Sequence, residues 1–374
     1  MIPLSQRIAL EINRIWRYNQ AKLHPLRQLF WEVTLCCNAS CRHCGSDCSS
    51  IDTSDPKRSL SHNTEMPLED FLKVLDEEIT PHVDTYRTMI ILSGGEPLMR
   101  KDIENIGLSL HNRKYPWGLV TNGIALTEEK FSSLRKCGLT SMTISLDGTE
   151  EDHIWMRRNP LAFEGACRAI RLCADDPSIT WDVVTCVTPR MLPKLNEIQQ
   201  FLWSMGCRLW RVVNVDPMGR GGLKEQTPAD RLLLNETEFR QMLDFIALQR
   251  QQGRHVSYGC AGFVGDYEGK VRDYLYRCAA GIEVASILCD GSISACTSIR
   301  GQYYQGNIYR DKFWDVWENR FQPYRDRKWM HQQYPCDRCK VWRYCLGNGL
   351  HLRTREGELM VCHYNALHNK PLYP

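Results

Sequence analysis

The sequence predicts an α/β fold, in which a parallel sheet of six βα units closes or partly closes as a barrel and a small cysteine-rich domain with a β-hairpin follows. Three observations predict it. Through the middle of the chain, short β-branched runs ending in Gly, Asn or Asp alternate with helical patterns, which is the rhythm of βα units. Six such runs read as strands: LFWEVTL, RTMIILSGG, WGLVTNG, SMTISLDG, WDVVTCV and RLWRVVNV. Cysteine, at 18 of 374 residues, gathers outside this body, with five from Cys36 to Cys48 and eight from Cys260 to Cys362.

The elements follow in order. Residues 5–28 are a basic helical lead-in carrying Arg7, Arg14, Arg17 and Lys22. Its apolar residues Ile8, Leu10, Ile12 and Ile15 make no single clean stripe, so the expectation is a helix docked against the barrel, with 1–28 as its own segment. The barrel is assigned to 29–252. Residues 47–66, rich in Ser, Asp and Thr, read as a surface loop covering the first cysteine group. Pro67 suits the first position of the helix in MPLEDFLKVLDEEI, another helix is read from about Thr127 to Lys136, and one from about Glu236 to Arg250 ends the barrel at Gly253. The cysteine-rich domain takes 253–374. In it ILCDGSISAC alternates as two short strands around Asp290-Gly291, which makes Cys289 a hairpin core residue. Cys137, Cys167, Cys173, Cys186 and Cys207 fit helix or strand interiors and read as packing residues.

A composition of 43% hydrophobic and 24% charged residues describes an ordinary globular chain. The net charge of +3 is too mild to make nucleic acid the partner. No run of about 18 apolar residues is present and the N-terminal stretch lacks a signal peptide's apolar core, so no membrane span and a cytoplasmic location are expected. Such cysteine richness in a cytoplasmic chain points to metal or redox chemistry rather than disulfides.

After the first strand comes Thr34-Leu-Cys-Cys-Asn-Ala-Ser-Cys-Arg-His-Cys44, a C-x3-C-x2-C spacing in Cys37, Cys41 and Cys44. Three thiolates on one short loop hold three irons of a cubane cluster and leave the fourth open. A zinc site with Cys36 or Cys48 as fourth ligand satisfies the same spacing. At the end of the second strand stands Ser93-Gly94-Gly95-Glu96-Pro97, whose glycines allow close backbone approach and whose carboxylate accepts from a cation. By itself this is also a tight strand-exit turn.

Together the two motifs resemble the radical SAM superfamily. The resemblance implies a partial (β/α)6 TIM-like barrel whose three cysteines hold a [4Fe-4S] cluster binding S-adenosylmethionine (SAM). It places His43 beside the adenine, Gly94, Gly95 and Glu96 at the SAM amino group, Ser145 and Asp147 at the ribose, and Asn122 in the same site. Arg157 or Arg158 falls near the SAM carboxylate, and Arg158 is the residue assigned. Downstream, Cys278, Gly291-x4-Cys296, Cys336-x2-Cys339-x5-Cys345 and Cys362 resemble the SPASM extension, which carries auxiliary [4Fe-4S] clusters. The SPASM pattern asks for cysteine four positions after Cys345, where this chain has Gly349. By the resemblance Cys336, Cys339, Cys345 and Cys362 complete one cluster, while a second keeps Cys278 and Cys296 with Cys260 as a third ligand, giving one or two auxiliary clusters. A zinc ribbon is the alternative for the four.

The resemblance covers about residues 29–374, and within the superfamily it touches a group encoded beside a small lipoprotein. It implies reductive SAM cleavage to a 5′-deoxyadenosyl radical that abstracts hydrogen from a peptide or small protein, driven by an external flavodoxin- or ferredoxin-type donor. The alternatives are a non-peptide metabolite as substrate, or a non-catalytic zinc-stabilised scaffold. The lead-in is too short for the separate peptide-recognition domain of some relatives. Thr297 stands where sulfatase-maturing relatives have an aspartate, so that chemistry is not expected.

Overall fold

In the computed structural model, residues 2–46, 48–50, 65–222, 230–259, 261–299, 303–354, 356–368 and 370–373 are described. Cys260 and most of the 47–66 loop lie outside them.

Strand β1 (Gln28–Thr34) leads into a two-residue strand β2 (Cys36–Cys37), which pairs in parallel with β3 (Ser49–Ser50). The barrel continues with β4 (Met89–Gly94), β5 (Trp117–Thr121), β6 (Leu139–Ser145), β7 (Thr180–Val187) and β8 (Trp210–Asn214), so all six expected strands form, each parallel to the next. The helices between them cover the outside: α2 (Leu68–Val74), α3 (Ile103–Asn112), α4 (Glu128–Lys136), α5 (Glu150–Arg157), α6 (Ala162–Ala174) and α7 (Leu195–Ser204). Thr127 caps α4 by accepting from the Lys130 N–H at 3.1 Å. Helix α8 (Glu236–Gln251) starts in a reciprocal Asn235–Glu238 capping box. Pro67 lies one position earlier than expected, at the N-cap of α2.

Two sheet features go beyond the expectation. A short strand β9 (Val256–Tyr258) adds in parallel to β8. At the other edge β10 (Val284–Ile287) pairs in parallel with β1, in the register Gln28 to Val284 and Trp31 to Ile287. It turns through Gly291, at φ +82°, into antiparallel β11 (Ser292–Ser294), and β12 (Gly306–Asn307) follows. The sheet therefore runs β12-β11-β10-β1-β4-β5-β6-β7-β8-β9. The C-terminal hairpin occupies the edge of β1 that a closed barrel would give to its last strand, so the barrel stays open.

The core lies between sheet and helices. Trp31, Trp117 and Trp210 are fully buried on strands of this sheet. Trp31 stacks on Phe71 of α2 at 3.9 Å, and the Trp117 ring lies so close to Gly107 of α3 that a Cβ there would sit 2.3 Å from it. Truncating any of these indoles to Ala costs about 3–5 kcal/mol.

Helix α1 (Leu4–Leu23) departs from the expectation, because it packs on the C-terminal domain rather than the barrel. Gln6 donates to the Glu268 carbonyl at 2.8 Å, Leu10 packs with Phe263, Tyr276 and Val341, and Arg17 donates to the Tyr344 carbonyl at 2.5 Å. Gln6, Leu10, Asn13 and Arg17 fall at i, i+4, i+7 and i+11, one helical stripe whose members are mostly polar. Ile8, Ile12 and Ile15 lie outside that stripe and are exposed.

Candidate functional site

The loops leaving β1, β4, β5 and β6 at their C-terminal ends enclose a cavity of about 210 Å³, with Cys37, Cys41, Cys44, His43, Gly94, Gly95, Glu96, Asn122 and Ser145 in its wall. Nine residues read from the sequence thus converge. Cys48, Arg157, Arg220 and Thr297 join them.

The thiol loop and the GGEP segment are one hydrogen-bonded unit. The Gly95 N–H donates to the Thr34 carbonyl and the Glu96 N–H to the Cys36 carbonyl, both at 2.9 Å. A Cβ on Gly94 would lie 2.2 Å from the Thr34 oxygen, and one on Gly95 would lie 2.3 Å from the Cys36 oxygen. The glycines thus serve the contact with the thiol loop, and Gly94, at φ +147°, also needs the freedom that only glycine has. Glu96 is buried and accepts from the Thr121 hydroxyl and the Asn122 N–H, both at 2.8 Å, and from the Leu98 N–H at 3.2 Å. A carboxylate offers about four acceptor positions, so one remains for a ligand cation. Burial pushes its pKa up. Asn122 donates to the Asn38 side chain at 2.8 Å and so ties the end of β5 to the same loop.

The thiols form a close group, with the Cys44 and Cys48 sulfurs 3.4 Å apart. The Cys48 contact and burial raise Cys44, and burial raises Cys41, against which the Arg157 guanidinium acts from 3.7 Å. Arg220 donates through Nε to the Cys41 carbonyl at 2.7 Å and through its N–H to the Cys44 carbonyl at 2.9 Å, and so clamps the loop from the far side. A Cβ on its neighbour Gly219 would sit 2.5 Å from that Cys44 oxygen, the contact the glycines after β8 make room for.

Asp147 does not face the cavity as expected. It is fully buried beneath it, with Oδ2 2.7 Å from Arg157 Nε and Oδ1 accepting from the Cys186 N–H at 2.9 Å. Burial alone would raise its carboxyl, but Arg157, with His43 and His153, holds it below the usual range. The Asp147 N–H donates to His153 Nδ1 at 2.9 Å, and burial holds that ring neutral with a pKa of about 3. His43, in the wall, is kept neutral by burial at about 4. Ligand atoms of His43, Asp147 and Cys186 lie within 4.8 Å of one another, but the Arg157 guanidinium already supplies the cation there.

Arg158 is the second correction. It ends α5 in the left-handed conformation at φ +52° and is exposed, whereas Arg157, one residue earlier, lines the cavity. At 100° of rotation per helical residue, adjacent positions face different directions.

A second set assembles in the C-terminal domain. Cys336, Cys339 and Cys362 surround Cys345 closely enough to oppose its ionisation. Arg353 donates to the Cys336 sulfur at 3.3 Å. Cys278 stands nearby against the guanidinium of buried Arg327 and the N–H groups of Ala280 and Leu350, which hold the thiol below its ordinary pKa although burial opposes them. The Nη2 of Arg327 and the hydroxyl of Tyr276 are buried without a hydrogen-bond partner among the described residues, as fits a site made for an anionic group. Cys296 follows β11, directly before cavity residue Thr297. Cys289 is buried at the hairpin, as expected, and Cys167, Cys173 and Cys207 are buried in the core.

Residues 31–202 match the family model of the radical SAM superfamily, and residues 278–340 match the SPASM model, an iron-sulfur cluster-binding domain. The chain carries a radical SAM domain followed by a SPASM domain. It is 26% identical over 340 residues to the AdoMet-dependent heme synthase of Methanosarcina barkeri strain Fusaro, covering 86% of this chain and 90% of that one. It is 25% identical over 328 residues to the mycofactocin maturase MftC of Mycolicibacterium smegmatis, covering 85% and 76%. Native anSMEcpe with bound AdoMet and Cp18Cys peptide superposes with a TM-score of 0.67 at 18% identity, covering 92% of this chain and 94% of that one, a likeness of fold.

As a radical SAM protein with a SPASM domain, the chain takes a [4Fe-4S] cluster with SAM, and auxiliary iron-sulfur clusters. The cavity residues fit the first: three thiols on one loop, a guanidinium beside them to offset thiolate charge, and Glu96 across the cavity. No helix among the described residues is long and apolar enough to cross a membrane. Sequence reasoning missed Arg220, whose only signal was a glycine-rich stretch, MGRGG, after the sixth strand, and the partnership of Arg157 with Asp147, for which a count along α5 gave no direction.

Proposed function

We propose that this radical SAM protein is a maturase that cleaves SAM reductively and abstracts a hydrogen from a peptide or small protein held at the open end of the barrel. Cys37, Cys41 and Cys44 would hold the cluster, which would supply the one electron needed to cleave the SAM sulfonium to methionine and the 5′-deoxyadenosyl radical. The chain's residues position that chemistry. Glu96 accepts from the SAM ammonium, the Gly94-Gly95 backbone borders it, and Ser145 offers a hydroxyl to the ribose. Arg157 faces the carboxylate and is itself aimed by Asp147. His43, neutral, borders the adenine, and Asn122 holds the thiol loop. Arg158 and Asp147 have no direct SAM contact in this assignment. The electron comes from an external flavodoxin- or ferredoxin-type donor.

The observation that carries the reading is the hydrogen-bonded joining of the thiol loop to the GGEP segment around one cavity. For a peptide substrate, the support is similarity to the mycofactocin maturase over most of both chains. A second reading, a heme-type tetrapyrrole substrate, is favoured by similarity to the heme synthase, which spans a larger share of that relative.

The test is anaerobic reconstitution with dithionite and SAM. 5′-Deoxyadenosine is expected from the native chain and not from the variant with Cys37, Cys41 and Cys44 all replaced by Ala, which retains auxiliary iron. Wild-type cleavage by that variant overturns the assignment. Deuterium transfer into 5′-deoxyadenosine from a labelled candidate peptide, and not from a labelled tetrapyrrole, separates the two substrate readings.

A further inference from the structure

By the SPASM pattern, Gly349 in place of a cysteine leaves one auxiliary cluster short of a ligand, and the His351 side chain stands at that position. A Cβ built on Gly349 would lie 2.4 Å from Cε1 and 2.6 Å from Nδ1 of His351. The imidazole of His351 therefore occupies the space into which a residue-349 side chain would project. Buried Arg327, whose charge acts on Cys278, donates from Nη1 to the Asn348 carbonyl at 2.8 Å, so one guanidinium joins this segment to that thiol. Leu350–Leu352 form a single 3-10 turn, which fixes how the His351 ring leaves the backbone. The other ring nitrogen, Nε2, stands 3.7 Å from Asp216 Oδ2 just beyond β8. A histidine that binds metal through one nitrogen commonly has a carboxylate at the other, which orients the ring. The His351 side chain is 12% exposed, and buried Arg327 and Tyr276 close the same site.

We propose that His351 is the non-cysteine ligand of the auxiliary iron-sulfur cluster at Cys278, binding iron through Nδ1, with Asp216 as its positioning residue. One thiolate is thereby exchanged for a neutral imidazole, so the cluster carries one negative charge fewer and a higher reduction potential than its all-cysteine counterpart, the direction in which histidine ligation acts in Rieske centres. The assignment rests on the auxiliary clusters of the SPASM domain and not on the substrate, so failure of the peptide reading leaves it standing.

The experiment uses the full chain with Cys37, Cys41 and Cys44 replaced by Ala, which removes the radical cluster's signals. Iron is counted, the reduced clusters are titrated by EPR, and hyperfine spectra are recorded with natural and 15N-histidine-labelled protein. The expected result is about eight irons per chain and one cluster with strong nitrogen coupling that changes from the 14N to the 15N pattern on labelling. His351→Ala is expected to lose that coupling together with up to four irons. His351→Cys, which keeps a ligand at the position and guards against a mere folding failure, is expected to keep the iron, lose the coupling and shift that cluster's midpoint to lower potential. Two clusters without histidine nitrogen coupling would overturn the proposal. So would about four irons per chain in the parent, or a coupling that survives in His351→Cys.

Discussion

The peptide N–H of Glu96 donates to the carbonyl of Cys36 at 2.9 Å. One bond thus links the segment proposed to receive the SAM amino group to the root of the loop proposed to hold the cluster. A disturbance at the strand exit is transmitted to the thiols, and substitutions in the GGEP segment are expected to act on iron as well as on SAM.

Gly95→Ala tests that transmission. Its Cβ would sit 2.3 Å from the Cys36 oxygen with no flexible side chain to give way. The expected outcome is a lower melting temperature and reduced iron at the radical site. Gly253→Ala, at φ +78° but with nothing within 4 Å, is expected to cost only about 1 kcal/mol and leave iron unchanged. Iron analysis and calorimetry on both variants check the contrast.

Glu96→Ala is expected to weaken SAM binding roughly ten- to a hundred-fold, since a charge-assisted hydrogen bond is worth about 1.5–3 kcal/mol. It also leaves the buried Asn122 N–H and Thr121 hydroxyl without their acceptor, so a fall in melting temperature accompanies it. Isothermal titration with the iron-loaded protein reads the first effect. Unchanged affinity would reduce the segment to a strand-exit turn.

Arg157→Ala and its neighbour are expected to behave oppositely. Removing Arg157 strands the fully buried Asp147 carboxylate, at a cost of about 3–5 kcal/mol. Arg158→Gly relieves a left-handed residue at the end of α5 and is expected to stabilise by up to about 1 kcal/mol. Denaturant unfolding of the two variants measures both, and equal effects would contradict the orientation of α5.

Acid is expected to destabilise the protein from about pH 6.5 downward. The ring of His153 has a folded pKa of about 3, below the unfolded value of about 6.5, so the unfolded chain binds the proton first. Its contribution is therefore full above about pH 6.5 and declines as the pH falls toward 3. Asp147, also depressed by folding, adds a loss that begins only near its unfolded value of about 3.9. Melting temperatures between pH 8 and 4 are expected to fall less steeply for His153→Gln, which cannot titrate. An identical slope would mean that burial does not hold the His153 ring neutral in the folded protein.

Local pattern and short spacing by themselves determine much of this protein. Six strands, the helices beginning near Thr127 and Glu236, the hairpin at Gly291 and both cysteine groups are legible in the sequence because each depends on neighbours a few residues apart. What only the tertiary structure decides depends on separation or direction. Arg220 reaches Cys41 across 179 positions of sequence. Arg157 rather than Arg158 enters the cavity because a helix turns 100° per residue, and the entry angle of α5 is set by packing. Helix α1 finds the C-terminal domain through Gln6, Asn13 and Arg17, since its docking stripe is hydrogen-bonding rather than apolar and leaves no hydrophobic signature. Strand β10 takes the free edge of β1 because backbone pairing is indifferent to side-chain identity, so nothing in either segment's residues announces its partner.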